Sequence, residues 1–226
     1  MKNKEIPELV VRRLNLYARC LGYLEEMGVL TVSSKELGDR LGIADTLVRK
    51  DLSYLGEFGH RGVGYYVSQL RHSIRKMMGA DKPRALVIVG AGNLGLGIGK
   101  YHQHFLDNHR VVAYFDTDPE KIGQSVEGIP IYPMEKMEEI VAGMGVELAV
   151  LAVPKDQAQR AAEKLVLAGV RGILNFAPIA LQLPPTVRVA YADLTLELQN
   201  LAYFLEKEAN STSPAGFVIS RRRKEE

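Results

Sequence analysis

The chain has 226 residues, 46% of them hydrophobic, so it can bury substantial cores in one or two domains. Its apolar runs fall short of the roughly 18 residues that a membrane span requires, and the N-terminus MKNKEIPELV lacks the apolar segment of a signal peptide. Cys20 is the only cysteine, which excludes an intrachain disulfide and a cysteine-based metal cluster. We expect a cytoplasmic protein without a metal, in which Cys20 is a buried structural thiol rather than a redox sensor.

Charge is distributed unevenly along the chain. Residues 1–84 carry fifteen lysines and arginines against ten acidic residues, whereas residues 85–210 carry ten against fifteen. The asymmetry predicts two domains with different partners. A basic surface is common in any domain, so it indicates nucleic acid only where a DNA-reading motif lies within it.

The first 42 residues predict two helices. An apolar repeat of helical period extends over about residues 7–27, and Gly28 is placed to end it. Ser33 and Glu36 have the spacing of a capping box. They begin a shorter helix, which Gly42 ends.

A third helix follows at once, with Asp45 as its predicted N-cap and with Val48 and Leu52 on its inner stripe. Two short helices joined by a tight glycine turn are typical of a helix-turn-helix, in which the second helix enters the major groove of DNA. The candidate DNA contacts are Ser34, Thr46, Leu47, Arg49 and Lys50. The alternative is a solvated face on which Arg49 and Lys50 merely balance Asp45 and Asp51.

The segment FGHRGVGYYV predicts a β-hairpin with a basic tip, because glycines surround the tip and a β-prone run follows. Such a wing can place His60 and Arg61 in the minor groove or against phosphates. An ordinary glycine-rich hairpin is the alternative. A helix from about Val67 to Met78 then leads to a Gly/Pro boundary at 79–83, which we take as the domain border.

The second domain begins with a dinucleotide-binding pattern. A buried strand, Ala85 to Val89, leads into G-x-G-x-x-G, and the next strand ends in Asp116, 21 residues beyond Gly95. The pyrophosphate of a dinucleotide would lie at the helix N-terminus, and Asp116 would accept hydrogen bonds from the ribose. A 2′-phosphate would meet the charge of Asp116, so NAD(H) is favoured over NADP(H), although Lys121 weakens that preference. The predicted loop contacts are Gly90, Ala91, Gly92, Asn93, Leu94 and Gly95.

The remaining pattern predicts a doubly wound sheet, with a strand at 146–153 and a short strand leading to a loop within 172–178. Between them it predicts a helix at 156–168 whose inward face is Ala158, Ala161, Ala162, Leu165 and Ala168. Ligands bind outside the carboxyl ends of such strands, which places Pro154, Asn175, Ala177 and Pro178 beside the nicotinamide, unless they serve only the loops. A last helix, Asp193 to about Glu208, carries a leucine stripe that predicts a partner subunit. The tail, 211–226, is expected to be disordered. The predicted class is therefore α/β, with a winged helix-turn-helix domain (1–80), a Rossmann domain (84–192) and a C-terminal helix (193–210).

The successive segments VRKDLSYLG, FGHRGVGY, VGAGNLG, FDTDPEKIG and ILNFAP resemble those of the Rex family of redox-sensing repressors, over about residues 5–205. The resemblance implies a homodimer that exchanges its C-terminal helix, and an inverted-repeat operator similar to TTGTGA and its complement. It also implies release from DNA by NADH, with NAD⁺ permitting binding. Leu47 departs from the pattern, because some relatives carry a polar residue there.

The resemblance also implies a switch formed by Arg19, Tyr101 and Asp193. Asp193 would pair with Arg19 in the DNA-competent state and turn to Tyr101 when NADH binds. Two other functions stay open. One is an NAD-dependent oxidoreductase with an accessory N-terminal domain, for which His102, His104 and His109 are poorly placed as catalysts. The other is a regulator that binds an acyl-CoA, against which Asp116 argues.

Overall fold

The computed structural model describes residues 6–56, 58–60, 62–105 and 109–211, with the backbone alone for 102–105 and 209–211. The chain divides after Arg84 into two compact units. Each unit has its own hydrophobic core.

The N-terminal unit is built on helices with a small two-stranded sheet. Its elements are α1 (Glu8–Glu26), β1 (Thr31–Val32), α2 (Ser34–Leu41), α3 (Asp45–Leu52), β2 (Tyr65–Tyr66) and α4 (Val67–Met77), with a short 3₁₀ turn at Ser53–Leu55. Strands β1 and β2 pair antiparallel. The inner face of α1, with Leu14, Tyr17 and Leu21 fully buried, packs with α3 and α4 in one hydrophobic cluster.

The start of α2 is a capping box, as the spacing predicted. The Ser33 hydroxyl accepts the Glu36 N–H at 3.1 Å, and the Glu36 carboxylate accepts the Ser33 N–H at 2.7 Å. These bonds lower the pKa of Glu36, because the backbone N–H of Ser33 stabilises the ionised carboxylate. Gly42 ends the helix in the left-handed conformation, with φ of +66°.

One predicted cap was wrong. Ala44, not Asp45, is the N-cap of α3, and Asp45 is the first helical residue. Helices favour acidic residues throughout the first turn, because negative charge there is attracted to the helix dipole. An acidic residue near a helix start therefore does not identify the cap itself.

The C-terminal unit is a seven-stranded sheet with helices, in the order β5-β6-β4-β3-β7-β8-β9 within the described residues. Strand β5 pairs antiparallel with β6, and the ladders β4–β6, β3–β7, β7–β8 and β8–β9 are parallel. The elements are β3 (Arg84–Val89), α5 (Asn93–Phe105), β4 (His109–Asp116), β5 (Ser125–Val126), β6 (Ile129–Pro133), α6 (Met137–Gly143), β7 (Leu148–Leu151), α7 (Lys155–Leu167), β8 (Gly172–Asn175), β9 (Arg188–Tyr191) and α8 (Leu194–Ser211).

Alternate side chains of β3 enter different cores. Val87 and Val89 belong to the cluster that includes α6 and α7, whereas Leu86 and Ile88 belong to a second cluster on the other face. A strand buried on both faces reads as a continuous apolar run, which is why the sequence predicted it. The predicted strand 146–153 is shorter in the structure, since only Leu148–Leu151 pairs as β7.

Candidate functional site

The loop between β3 and α5 can be formed only with glycine at two positions. Gly90 has a φ of +99°, and a Cβ there would lie 2.3 Å from the Ala152 carbonyl oxygen. A Cβ on Gly95 would lie 1.8 Å from the Gly90 carbonyl oxygen. The loop therefore folds back on itself at the N-terminus of α5, where free backbone N–H groups favour an anion such as a phosphate.

Asp116 ties the end of β4 to this loop. One carboxylate oxygen accepts the Ala91 N–H at 2.7 Å, and the other accepts the N–H groups of Thr117 and Asp118 at 2.8 and 2.9 Å. A carboxylate has about four lone-pair sites, so one stays available to a ligand hydroxyl. That Asp116 binds a ribose stays a prediction, but its carboxylate is held at the mouth of the loop.

A cavity of about 550 Å³ lies at the carboxyl ends of the parallel strands, a volume within the usual range for small-molecule sites. Gly90 and Gly92 line one side, Asp116 and Lys121 another, and Pro154 stands where α7 begins. The Lys121 ammonium lies 3.1 Å from the Asp118 carboxylate and 3.7 Å from Asp116. The hydrogen bond to Asp118 raises the pKa of Lys121, so this cation stays charged at the rim.

Two cations of the cavity lining were not predicted. Arg160 and Lys164 line the cavity from α7, one helical turn apart. The sequence does contain a signal for them, because Arg160 and Lys164 are four residues apart and therefore lie on the same polar side of the predicted helix 156–168. That helix was predicted from its inward apolar face alone, and all five residues of this face are buried: Ala158, Ala161, Ala162, Leu165 and Ala168.

The loop after β8 is held by its own asparagine. The buried amide of Asn175 donates to the carbonyl oxygens of Ala177 and Ile179 at 3.1 and 3.0 Å and accepts the Ala177 N–H at 2.9 Å. Asn175, Ala177 and Pro178 are not among the residues that line the cavity. A ligand contact by these three residues stays a prediction, and the amide of Asn175 is already used to shape the loop.

In the N-terminal unit, the start of α3 carries a small polar network. The Arg49 guanidinium donates to the Asp45 carboxylate at 2.7 Å and to the Ser34 hydroxyl of α2 at 2.9 Å. The bond from Arg49 lowers the pKa of Asp45. Thr46 and Lys50 are exposed, and Leu47 is half-buried. The predicted contact residues thus share the outward side of α3 and the start of α2.

The alternative interpretation of that face is half right, because Arg49 does pair with Asp45 but Asp51 does not lie in solvent. Its side chain is 1% exposed and accepts hydrogen bonds from Arg13 at 2.5 and 2.8 Å and from the Tyr17 hydroxyl at 2.8 Å. The Asp51 bond raises the pKa of Arg13, while burial, followed by the Asp51 bond, raises that of Tyr17. Asp51 therefore anchors α3 to α1 and does not balance Lys50 in solvent.

The segment before β2 closes a short turn. His60 and Gly64 exchange backbone hydrogen bonds at 2.8 and 2.9 Å, as expected for a hairpin tip. The His60 ring lies edge-on to Tyr66, with centroids 5.4 Å apart. Arg61, the predicted basic tip, lies outside the described residues.

The predicted switch residues occupy three separate elements. Arg19 is exposed on α1, and its guanidinium makes no hydrogen bond or ion pair within the described residues. Tyr101 is 57% exposed on α5. Asp193 caps α8, because its carboxylate accepts the N–H groups of Thr195 and Leu196 at 2.9 and 3.3 Å.

Within the described residues, helix α8 buries none of its side chains. Every residue from 194 to 208 is exposed. The exposed fractions of the predicted leucine stripe lie between 60% and 69%, for Leu194, Leu198, Leu201 and Leu205. An apolar helix is stabilised mainly by packing of one face, and this one lacks such packing within the described residues.

Two kinds of feature are absent from the described residues. No cluster of three histidine, cysteine, aspartate or glutamate side chains suited to a metal ion occurs in this part of the chain. None of its helices is both long and apolar enough to cross a membrane.

Comparison with known proteins gives matches over nearly the whole chain. A family described as a putative DNA-binding protein N-terminus matches residues 5–53, and one described as a CoA binding domain matches residues 81–179. The redox-sensing transcriptional repressor Rex of Brevibacillus brevis is 43% identical over 90% of this chain and 99% of its own. Rex of Chloroflexus aggregans is 45% identical over 92% and 98%.

Solved structures agree with the sequence relatives. The crystal structure of RSP in complex with β-NAD⁺ and operator DNA matches with a TM-score of 0.86 at 33% identity, over 92% of this chain and 96% of that one. RSP in complex with β-NADH matches with a TM-score of 0.83 at 32% identity, over 92% and 98%. RSP is itself described as a Rex-family repressor. These matches confirm the predicted fold class, a winged helix-turn-helix followed by a Rossmann domain, and the chain belongs to the Rex family of redox-sensing transcriptional repressors.

Proposed function

We propose that this protein is a DNA-binding transcriptional repressor that senses the balance of NADH and NAD⁺ and is released from an inverted-repeat operator by NADH. The observation that carries the proposal is the presence, in one chain, of a cationic reading helix and a glycine-loop cavity faced by Asp116. Residues 1–80 bind DNA, residues 84–192 bind the nucleotide, and residues 193–210 join two subunits. Because its target is the chromosome, we assign it to the cytoplasm.

The proposed ligand is NAD(H), not NADP(H) or a coenzyme A. The glycine loop offers N–H groups to the pyrophosphate, and Asp116 has one lone-pair site for a ribose hydroxyl. A phosphorylated ribose would place its charge against that carboxylate. Although the matched family is described by CoA binding, two solved relatives that match nearly the full chain are described in complex with β-NAD⁺ and with β-NADH.

The proposed assembly is a homodimer with exchanged α8 helices. The exposed leucines of α8 need an apolar surface that the described part of the chain does not supply. A second apolar stripe runs along the outer side of α1, where Leu9, Leu16 and Tyr23 are exposed at intervals of seven residues. Two such faces, repeated by two-fold symmetry, form the self-complementary contact of a dimer.

The proposed switch couples the two ligands through the dimer. Asp193 pairs with Arg19 in the DNA-competent arrangement and with Tyr101 in the NADH-bound arrangement. NADH shifts this equilibrium only if it binds one arrangement more tightly than the other. A coupling of about 1–3 kcal/mol changes operator affinity roughly 5- to 150-fold.

An NAD-dependent oxidoreductase is the second candidate, since the nucleotide cavity alone fits either function. The curated relatives are named as transcriptional repressors, which favours the regulator. The side chains of His102 and His104 lie outside the described residues, and His109 is the first residue of β4. Because β4 approaches the cavity with its carboxyl end, at Asp116, His109 is at the wrong end of the strand to serve as an acid or base there.

The decisive experiment is fluorescence anisotropy with a labelled duplex that carries an inverted repeat of TTGTGA, at one fixed salt concentration. We expect tight binding that NADH reverses and NAD⁺ does not. Operator binding that neither nucleotide affects would refute the redox switch but keep the DNA-binding unit. Steady consumption of NADH with a screened panel of carbonyl substrates would favour the oxidoreductase instead.

The switch is tested separately at Asp193. Asp193→Ala removes both the charge and the cap of α8, whereas Asp193→Asn removes the charge and keeps an oxygen that can cap the helix. We expect both variants to bind NADH and the operator but to stay on DNA when NADH is added. If Asp193→Asn responds to NADH like the wild type, the assigned ion pair with Arg19 is wrong.

A further inference from the structure

The outward side of α3 is chemically asymmetric. With 100° between successive residues, Thr46 and Lys50 occupy its centre, and Leu47 and Arg49 occupy opposite flanks. The Arg49 flank is polar, because its guanidinium is held by Asp45 and by Ser34 of α2. The Leu47 flank has an apolar, branched side chain with no hydrogen-bonding group.

Leu47 does not serve the core of its own unit. Val48 and Leu52 of the same helix enter the hydrophobic cluster, at 0% and 2% exposed, whereas Leu47 is half-buried and outside that cluster. Keeping an apolar side chain next to an exposed lysine gives no folding benefit that the described contacts account for. Its position is explained if it meets an apolar group on the ligand of this face.

The major groove of DNA offers one such group, the 5-methyl of thymine. We propose that Leu47 selects thymine through this methyl at one base pair of each half-site. The cations on the centre and opposite flank, Lys50 and Arg49, meet guanine edges or phosphates. This inference rests on the proposed function, since it requires that α3 reads DNA.

The test removes the methyl group alone. The preferred operator is first obtained by selection from a pool of randomised duplexes, and each thymine is then replaced by deoxyuridine in both half-sites or in one. Burial of one methyl-sized group corresponds to about a fourfold change in affinity, so we expect about fourfold weaker binding for one half-site and about fifteenfold for both. Only one thymine position per half-site has this effect, and in Leu47→Ala the effect of deoxyuridine at that position disappears.

Thr46→Ser is the matched control, because it deletes the neighbouring methyl and keeps the hydroxyl. We expect it to retain the sensitivity to deoxyuridine. Thermal unfolding of Leu47→Ala should show a smaller loss of stability than Val48→Ala, since Leu47 is half-buried and lies outside the core. Two results would overturn this inference alone. One is that replacing each thymine by deoxyuridine weakens binding equally in the wild type and in Leu47→Ala. The other is that the sensitivity to deoxyuridine is lost in Thr46→Ser instead of Leu47→Ala. Failure of the selection to enrich any sequence overturns the proposed function as well.

Discussion

Replacing Asp51 by asparagine tests how α3 is held in place. Asp51 is 1% exposed and accepts two bonds from Arg13 and one from Tyr17. The amide of asparagine keeps the shape but presents a donor to the guanidinium, so it breaks at least one charged bond and leaves the buried partners unmatched. Loss of one partner of a buried ion pair costs about 3–5 kcal/mol, and the partial exposure of Arg13 places the expected cost near the lower end, at about 3 kcal/mol.

The assay is thermal and urea unfolding, with the N-terminal unit followed by a probe near α1. For a domain of 60–100 residues, a change of 1 kcal/mol in the free energy of unfolding shifts Tm by roughly 4–8 °C. A loss of about 3 kcal/mol should therefore lower Tm by about 12–24 °C. Tyr17→Phe removes one donor and leaves Arg13 in place, with an expected cost of about 1 kcal/mol. Operator affinity should fall in Asp51→Asn, because α3 loses its anchor, while NADH affinity stays unchanged.

A second arginine on α1, next to Arg13, supplies the control. Arg12 forms an exposed ion pair with Glu8, one turn away, and exposed pairs contribute little. Arg13→Ala should therefore be strongly destabilising, and Arg12→Ala should be close to wild type. Surface substitutions typically change the free energy of unfolding by no more than about 0.5 kcal/mol. If Asp51→Asn differs from the wild type by no more than that, the anchoring of α3 by this network is refuted.

Three further predictions concern the C-terminal unit. Gly95→Ala should abolish NADH binding measured by fluorescence titration, because its Cβ would lie 1.8 Å from a backbone oxygen, whereas Gly97→Ala has nothing within 4 Å and should bind normally. Asp116→Ser should bind NADH more weakly and narrow the preference over NADPH, and an unchanged ratio of the two dissociation constants would argue against its ribose role. Leu198→Glu together with Leu201→Glu should yield monomers in sedimentation experiments, since a charged stripe on α8 cannot be buried; a dimer that persists at micromolar concentration would remove α8 from the interface.

Periodicity and spacing predicted buried stripes in both units, because burial repeats along the sequence with the period of the helix or strand. The run Ala85 to Val89, the glycine spacing and Asp116 place a nucleotide site at one edge of a sheet before any contact is known. The family resemblance added the exchange of the C-terminal helix, the operator, the response to NADH and the switch residues, none of which the residue patterns indicated. Long-range polar contacts were not predictable in the same way, since no local pattern identifies their partners.

Asp51 illustrates that limit. It follows Val48 by three residues and is buried with it on α3, so the spacing could have identified a buried charge, but we had placed Asp51 only on the alternative solvated face. Its partners, Arg13 and Tyr17, are 38 and 34 residues away in the chain. Asn175 shows a second limit, because a polar residue at a strand end can also satisfy the backbone of its own loop, as its amide does here, and its ligand contact stays a prediction.

The position of the exposed helix α8 in the chain has a consequence for how subunits pair after synthesis. Helix α8 follows the N-terminal unit and all strands of the seven-stranded sheet, so the ribosome completes those elements before the helix emerges. In the proposed dimer, its apolar stripe then meets surfaces that are already folded, and subunits pair after translation. Cells that make two versions of this protein at once should therefore contain mixed dimers in the proportions set by random encounter, and one defective version can withdraw intact subunits from the operator.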